Sequence, residues 1–296
     1  MIISRGEKIF HWVNYFILTA FGLIVLYPFV NIMAISFNDG LDALRGGIFL
    51  WPRQFSIAAY EEVFSRRGLL NAAWMSVART TVGTITGLAF TAVLAYLLSK
   101  RDLVFRRAII FLFVFTMYFS GGMIPDFILI RNLGLMNRFG VYIIPMLLGV
   151  WNVMVMRAYF EELPQSLIDS ARIDGASEFT VLVKIVLPIS TPVLATIALF
   201  IAVGQWNAWF DTFVYTSGAR LSTLQNELVR ILTEQQALLM APGGADVRDL
   251  ADRAMRVTPQ TIQKATIVIT TVPIILVYPF LQKYFVRGIM VGAVKE

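Results

Sequence analysis

Leu163-Pro164-Gln165-Ser166-Leu167-Ile168-Asp169-Ser170-Ala171-Arg172-Ile173-Asp174-Gly175-Ala176, trailed by Phe179, Ile185 and the Leu187-Pro188 pair, is a polar interlude between two long apolar runs. Its pattern describes a short amphipathic helix, a glycine turn and a second short helix leading into the next run. Ser170, Ala171, Gly175 and Ala176 are small enough to admit the backbone of a partner. Gly175 can take the left-handed conformation that stops a helix, directly behind the acidic Asp174. On spacing alone, the segment fits a loop that merely joins two apolar elements equally well, because glycine turns are common.

The runs on either side belong to a set of six charge-free stretches: 9–38, 80–99, 108–125, 139–156, 185–210 and 265–282. A helix needs about 20 apolar residues to cross a bilayer, so each stretch reads as a span. Hydrophobic residues make up 57% of the chain and charged residues 15%, against about 25% charged in soluble domains. With a mean hydropathy of +0.70 over 296 residues, no soluble core could enclose the apolar surface. The sequence therefore predicts an all-α integral membrane protein, one transmembrane domain over 1–296. Its six helices lie at about 12–37, 72–99, 107–127, 139–158, 186–210 and 265–284, with connecting loops at 159–185 and 211–264. The first run is too long for the apolar region of a cleaved signal peptide, about 7–15 residues, and reads as a retained helix.

Orientation follows from basic residues in short connections. Lys100, Arg101, Arg106 and Arg107 crowd residues 100–107, which marks that turn as cytoplasmic. Alternation then places both termini and the 159–185 loop inside, and 211–264 outside. Within 211–264, Leu221, Leu224, Leu228, Ile231, Leu232, Leu238 and Leu239 recur at near-helical spacing over 221–240. A turn at 241–244 and a charged helix at 246–255 are expected to follow.

Composition excludes several chemistries. There is no cysteine, so no disulfide, thiolate nucleophile or Cys-ligated metal is available. The single histidine, His11, rules out His-rich metal sites and leaves a serine triad with no plausible base. No Gly-Lys dipeptide occurs, so no Walker A loop exists to hold ATP. The net charge of +6 flanks apolar runs and does not form a nucleic-acid patch. The chain is therefore expected to carry no catalytic residue, no metal and no cofactor of its own.

The quoted segment resembles the EAA loop of ABC importer permeases, whose pattern is E-A-A-x-x-D-G-A followed at a set distance by I-x-L-P. Asp169-Ser170-Ala171, Asp174-Gly175-Ala176 and Ile185-x-Leu187-Pro188 fill it, with Asp169 in place of Glu and Ser170 in place of the first Ala. The likeness covers nearly the whole chain. Trp206-Asn207, Phe285-Val286-Arg287-Gly288 and Gly292-Ala293-Val294-Lys295 resemble permeases of carbohydrate uptake. Gly121-Gly122-Met123-Ile124-Pro125 and residues 152–157 resemble the branch that handles larger sugars, including oligosaccharides, aldouronates and alginate.

The resemblance implies a type I importer permease of a bacterial inner membrane, with a cytoplasmic coupling helix between spans four and five. Asp169, Ser170, Ala171, Arg172, Asp174, Gly175, Ala176 and Phe179 would form the ATPase contact. The partners implied are a second homologous permease, two ATPase subunits that hold ATP and Mg, and an extracytoplasmic solute-binding protein touched by the 211–264 loop.

Sugars are bound by aromatic faces and hydrogen bonds, and polar groups at membrane depth are costly unless used. Candidate pathway residues are Gln205, Trp206, Asn207, Trp209 and Asp211 at the end of span five, Tyr118, Gly121 and Gly122 at the end of span three, and Asn152 in span four. The tryptophans fit an interfacial belt as well, and the paired glycines fit a tight helix crossing. Arg79 borders span two on the outer side, either as an interfacial anchor or as an attractor for an anionic sugar. Gly83 and Gly87 are spaced to pack helices. The rival reading is an ion-coupled secondary carrier, which would usually place ionisable residues within spans.

Overall fold

The computed structural model describes residues 5–65, 67–240 and 257–293. Its regular structure is helical, with a single isolated bridge between Asn38 and Phe55. The expected charged helix at 246–255, its preceding turn and residues 294–295 lie outside the described residues.

Two compact units divide the chain, Met1–Leu69 with Leu228–Val272 and Leu70–Glu227 with Pro273–Glu296. The first unit begins with α1 (Arg5–Ser36), whose most apolar 18-residue window has a mean hydropathy of 2.1 and no buried residue. After it come α2 (Gly40–Leu44) and α3 (Ala58–Ser65). Side-chain hydrogen bonds fix the connection. Asn31 donates to the carbonyls of Ile48 (2.7 Å) and Phe49 (3.0 Å). Asp39 caps α2 by accepting from the Leu41 and Asp42 amides, and Phe37 stacks between Phe55 and Tyr60.

The second unit is built on α4 (Arg67–Ser99), α5 (Arg106–Tyr118), α6 (Met123–Asn132), α7 (Val150–Glu161), α8 (Gln165–Ile173) and α9 (Glu178–Val181). It continues with α10 (Leu187–Ile189), α11 (Thr191–Asn207) and α12 (Phe210–Tyr215). Besides α4, two helices run through both units' sequence ranges, α13 (Leu224–Met240) and α14 (Pro259–Ala293). The helix expected at 221–240 is α13.

By length and composition, α4 and α1 are the two straight helices able to cross a bilayer among the described residues. Three further apolar runs are bent. α5 and α6 meet at 116° across Phe119–Gly122, where Gly122 has φ +85°. The 3-10 turns Phe139–Tyr142 and Ile144–Met146 meet α7 at 48°, and the segment Glu178–Ile189 meets α11 at 87°. Within the run expected as a span over 186–210, the helix breaks at Ser190 and resumes as α11 at Thr191. Residues 185–190 continue a helical segment through a π turn at Leu182–Val186. Pro188 and Pro192 each lack the amide that a continuous helix would require there.

α4 and α11 pack closely at Gly83 and Gly87, as the spacing predicts. A Cβ on Gly83 would lie 2.6 Å from the Gln205 amide nitrogen, and one on Gly87 would touch Ile201 at 3.4 Å. The core of this unit joins Ala95 and Leu98 of α4 to Met156 and Phe160 of α7, Ile168 of α8, and Val181 and Val186.

Candidate functional site

The 163–186 loop has a built geometry. Ile168 of α8 is buried in the core while the rest of the helix faces outward, which leaves Asp169, Ser170 and Arg172 exposed. The helix ends in a Schellman motif. The Ala176 amide donates to the Ala171 carbonyl (2.9 Å) and the Gly175 amide to that of Arg172 (3.0 Å), with Gly175 at φ +81°. Ala171 and Ala176 pack partly against the core, so their small size serves the fold. Ser177 then caps α9 by accepting from the Thr180 amide at 3.3 Å.

Glu178 holds this loop to α4. It accepts from the Tyr96 hydroxyl at 2.6 Å and from Arg172 at 3.0 Å, and it pairs with Lys100. The Lys100 hydrogen bond, followed by the Tyr96 bond, pulls the Glu178 carboxyl down to about 2. Arg106 and Arg157 pair with Glu161 in the same region. The turn 100–107 and the 163–186 loop thus lie at one end of this unit, tied by ion pairs. Sequence reasoning missed Glu178 and Lys100. Beyond the clamp, Ile173 and Phe179 are 87% and 72% exposed, two large apolar groups presented beside Asp174 and Gly175.

The end of span five is a second polar site. Arg79 is fully buried and forks onto Asp211, Nη2 to Oδ2 at 2.6 Å and Nη1 to Oδ1 at 3.1 Å. Its Nε donates to Gln205 Oε1 (3.1 Å), Nη1 also donates to the Ala208 carbonyl (3.2 Å), and its guanidinium lies 4.4 Å from the Tyr142 ring centre. Gln205 Nε2 donates to the Tyr142 carbonyl at 3.1 Å, and the Tyr142 hydroxyl donates to the Leu221 carbonyl at 2.6 Å. Arg79 is therefore neither an interfacial anchor nor an open receptor for anions: burial and the carboxylate opposite it exclude both. The signal was available, since Arg79 and Asp211 are the charges that bound the runs 80–99 and 185–210. Tyr142 offered no such signal.

The structure separates the remaining candidates. Trp206 is buried; Asn207 is exposed and accepts a long bond from Gln225 at 3.4 Å; Trp209 is exposed and meets Phe210 and Phe213 edge-on. Tyr118 is exposed at the end of α5, ahead of the Gly121-Gly122 break. Asn152, half-buried, sits at the start of α7, where a Cβ on Gly149 would lie 3.0 Å from its side-chain nitrogen. None of Tyr118, Gly121, Gly122 and Asn152 bonds to the Arg79 cluster. Among the described residues, no group of three or more His, Asp or Glu side chains is placed to hold a metal ion.

Residues 4–291 match the family described as binding-protein-dependent transport system inner membrane component. The chain belongs to this family of membrane permeases. The permease is 38% identical to protein LplC of Bacillus subtilis (strain 168), over 99% of this chain and 97% of that one. It is 35% identical to the polygalacturonan/rhamnogalacturonan transport system permease protein YtcP of the same organism, over 98% and 99%. It also superposes on a chain from the crystal structure of a bacterial ABC transporter involved in the import of the acidic polysaccharide alginate. There the TM-score is 0.85 at 32% identity, covering 96% of this chain and 99% of that chain. The permease thus has the type I ABC importer permease fold, and it is a transport component, not an enzyme.

Proposed function

We propose that this permease forms half of the translocation pathway of an ATP-driven importer for an oligosaccharide, acidic sugars such as alginate or aldouronates included. A solute-binding protein delivers the sugar at the outer face. Two ATPase subunits bind ATP and Mg, and a second homologous permease completes the pathway. The whole chain acts as one transmembrane domain of a bacterial inner membrane. Its six spans lie at about 12–37, 72–99, 107–127, 139–158, 186–210 and 265–284, with both termini cytoplasmic.

The observation that carries this reading is the 163–186 loop, clamped to α4 through Glu178 and presenting Ile173 and Phe179 at its surface. α8 is then the coupling helix. Burying each of these apolar side chains in an ATPase groove would contribute about 1.5–3 kcal/mol. The Glu178 clamp would pass the resulting movement to α4 as a rigid displacement. Rocking of the spans changes access to the pathway, and phosphate chemistry stays on the partner. Asn207 and Trp209, together with Asn152 and the break at Gly121-Gly122, supply the surfaces assigned to sugar.

An ion-coupled carrier would need an ionisable group free to exchange partners within a span. Arg79 and Asp211 are ionisable and buried, but each is engaged by the other, so this pair does not supply that reading with a coupling site. The test is purification of the tagged permease in mild detergent, reconstitution of what accompanies it, and uptake of labelled oligosaccharide into vesicles. ATP-dependent uptake supports the proposal, and uptake driven by an ion gradient without ATP refutes it.

A further inference from the structure

Arg79 is the bulkiest side chain among the fully buried ones of the described residues. A charge removed from water is costly unless paired in good geometry, so its environment should report what it is for. The guanidinium lies where α11 stops and α12 begins. Ala208 is extended (ψ 124°), which ends α11, and its carbonyl accepts from Arg79. Asp211 stands in the first turn of α12 and accepts both arms of the fork. A cation beside a helix C-terminus and a carboxylate at the next helix start satisfies both ends of the break. Gln205, one turn back, is locked between Arg79 and the Tyr142 carbonyl. Gly83 on α4 leaves the room that this amide occupies.

The consequence is a sorting of side chains along residues 205–211. Gln205, Trp206 and Asp211 turn inward and are buried, while Asn207 and Trp209 turn outward and stay exposed. We infer that Arg79 is a positioning residue of the translocation pathway, fixing the break between α11 and α12 so that Asn207 and Trp209 are presented, while Gln205 and Asp211 hold the frame and do not touch sugar. The inference rests on the proposed function, which places Asn207 and Trp209 in that pathway. It also removes Arg79 as a reader of anionic sugars, because the guanidinium is fully buried and four of its five N–H groups already meet protein oxygens.

The chain contains no cysteine, which permits a direct test on the assembled importer in vesicles. Asn207→Cys and Trp209→Cys are introduced singly and labelled with a water-soluble maleimide. Each is then combined with Arg79→Met and Asp211→Leu, an apolar replacement of the kind that buried ion pairs often tolerate. The expected result is labelling at both positions in the parent background, and a change of about tenfold or more in the ratio of the two rates once the pair is replaced. A control cysteine at Gln54, exposed on the connection after α1 and so on the same side of the membrane, should label at an unchanged rate. An unchanged ratio at 207 and 209 overturns the positioning role. Absence of labelling at both positions in the parent background overturns the pathway assignment itself. If the double replacement does not assemble, Asp211→Asn, which keeps the shape and removes the charge, is read by the same criteria.

Discussion

Lys100, at the turn leaving α4, forms an ion pair with Glu178, the first residue of α9. The pair joins two segments that are far apart in sequence, and Tyr96 and Arg172 complete the arrangement from α4 and α8. Arg172 also lies 3.6 Å from Asp169, so the acidic start of the loop motif and its basic centre are drawn into one exposed network. Because Glu178 is half exposed, the network is not a large source of stability. Its importance is geometric: it ties the loop to the end of α4.

Glu178→Gln should lower the thermal unfolding midpoint only slightly, by the equivalent of about 1 kcal/mol or less, yet reduce the coupling of ATP hydrolysis to uptake. The pH dependence follows from the carboxyl being lowered from 4.5 to about 2. A group whose folded value is lowered contributes fully above 4.5 and loses that contribution as the pH falls from 4.5 toward 2. Coupling that depends on this clamp should be flat across neutral and mildly acidic pH. Stimulated ATPase activity of parent and Glu178→Gln, measured across that range, checks both statements. A step near neutrality confined to the parent would contradict them.

Gly175 combines a left-handed backbone (φ +81°) with open space around the position of a Cβ. Gly175→Ala should therefore cost only the left-handed strain, about 1–2 kcal/mol, and leave much of the uptake. Gly175→Arg and Asp174→Arg add bulk and charge to the face beside Ile173 and Phe179, and should abolish uptake while membrane insertion stays normal. Uptake assays normalised to permease found in isolated membranes measure this. Normal uptake by a well-inserted Gly175→Arg variant would remove the coupling role of the loop.

Gly83 is a different case, because its neighbour is packed. A side chain there meets the Gln205 amide at 2.6 Å, and Gln205 cannot move without releasing Arg79 or the Tyr142 carbonyl. Gly83→Val should destabilise the permease by about 1–3 kcal/mol through overpacking. Gly87→Ala, whose Cβ would make an ordinary contact with Ile201 at 3.4 Å, should be nearly neutral. Thermal unfolding of the two variants in detergent separates these outcomes.

Much of this architecture was legible because apolar length and charge placement act locally. α1 and α4 occupy their expected runs, and the glycine spacing at 83 and 87 correctly announces close packing. The bends were less legible. In the run 108–125 the helix stops at Tyr118, and in 185–210 it restarts at Thr191; hydropathy cannot register a turn made of apolar residues. The Arg79–Asp211 pair went unread for a related reason. Each residue bounds its own run, and only folding places them 2.6 Å apart, so a rule that reads one helix at a time takes each as an edge. The local shape of the loop was readable because its glycine stop acts within a few positions, but Ala171 and Ala176 pack against the core and not against a partner, and the Glu178 clamp to α4 depends on residues far apart in sequence.

Ile173 and Phe179 test the assembly most directly. Both are large, apolar and mostly exposed, and neither is needed for the clamp, whose polar contacts run through Glu178, Lys100, Tyr96 and Arg172. Replacing Phe179 by Asp should leave the fold and the membrane insertion unchanged, because the side chain has no core to leave. In an interface, an aromatic anchor of this kind is worth about 2 kcal/mol or more, and a buried carboxylate would add its own desolvation penalty. The ATPase should accordingly bind at least about 30-fold more weakly, enough to be lost during affinity purification. Ile173→Asp should act in the same direction, and Phe179→Leu should retain most of the binding. Co-purification of the ATPase with each tagged variant decides the matter. Undiminished recovery with both Asp variants would place the ATPase contact elsewhere on the permease.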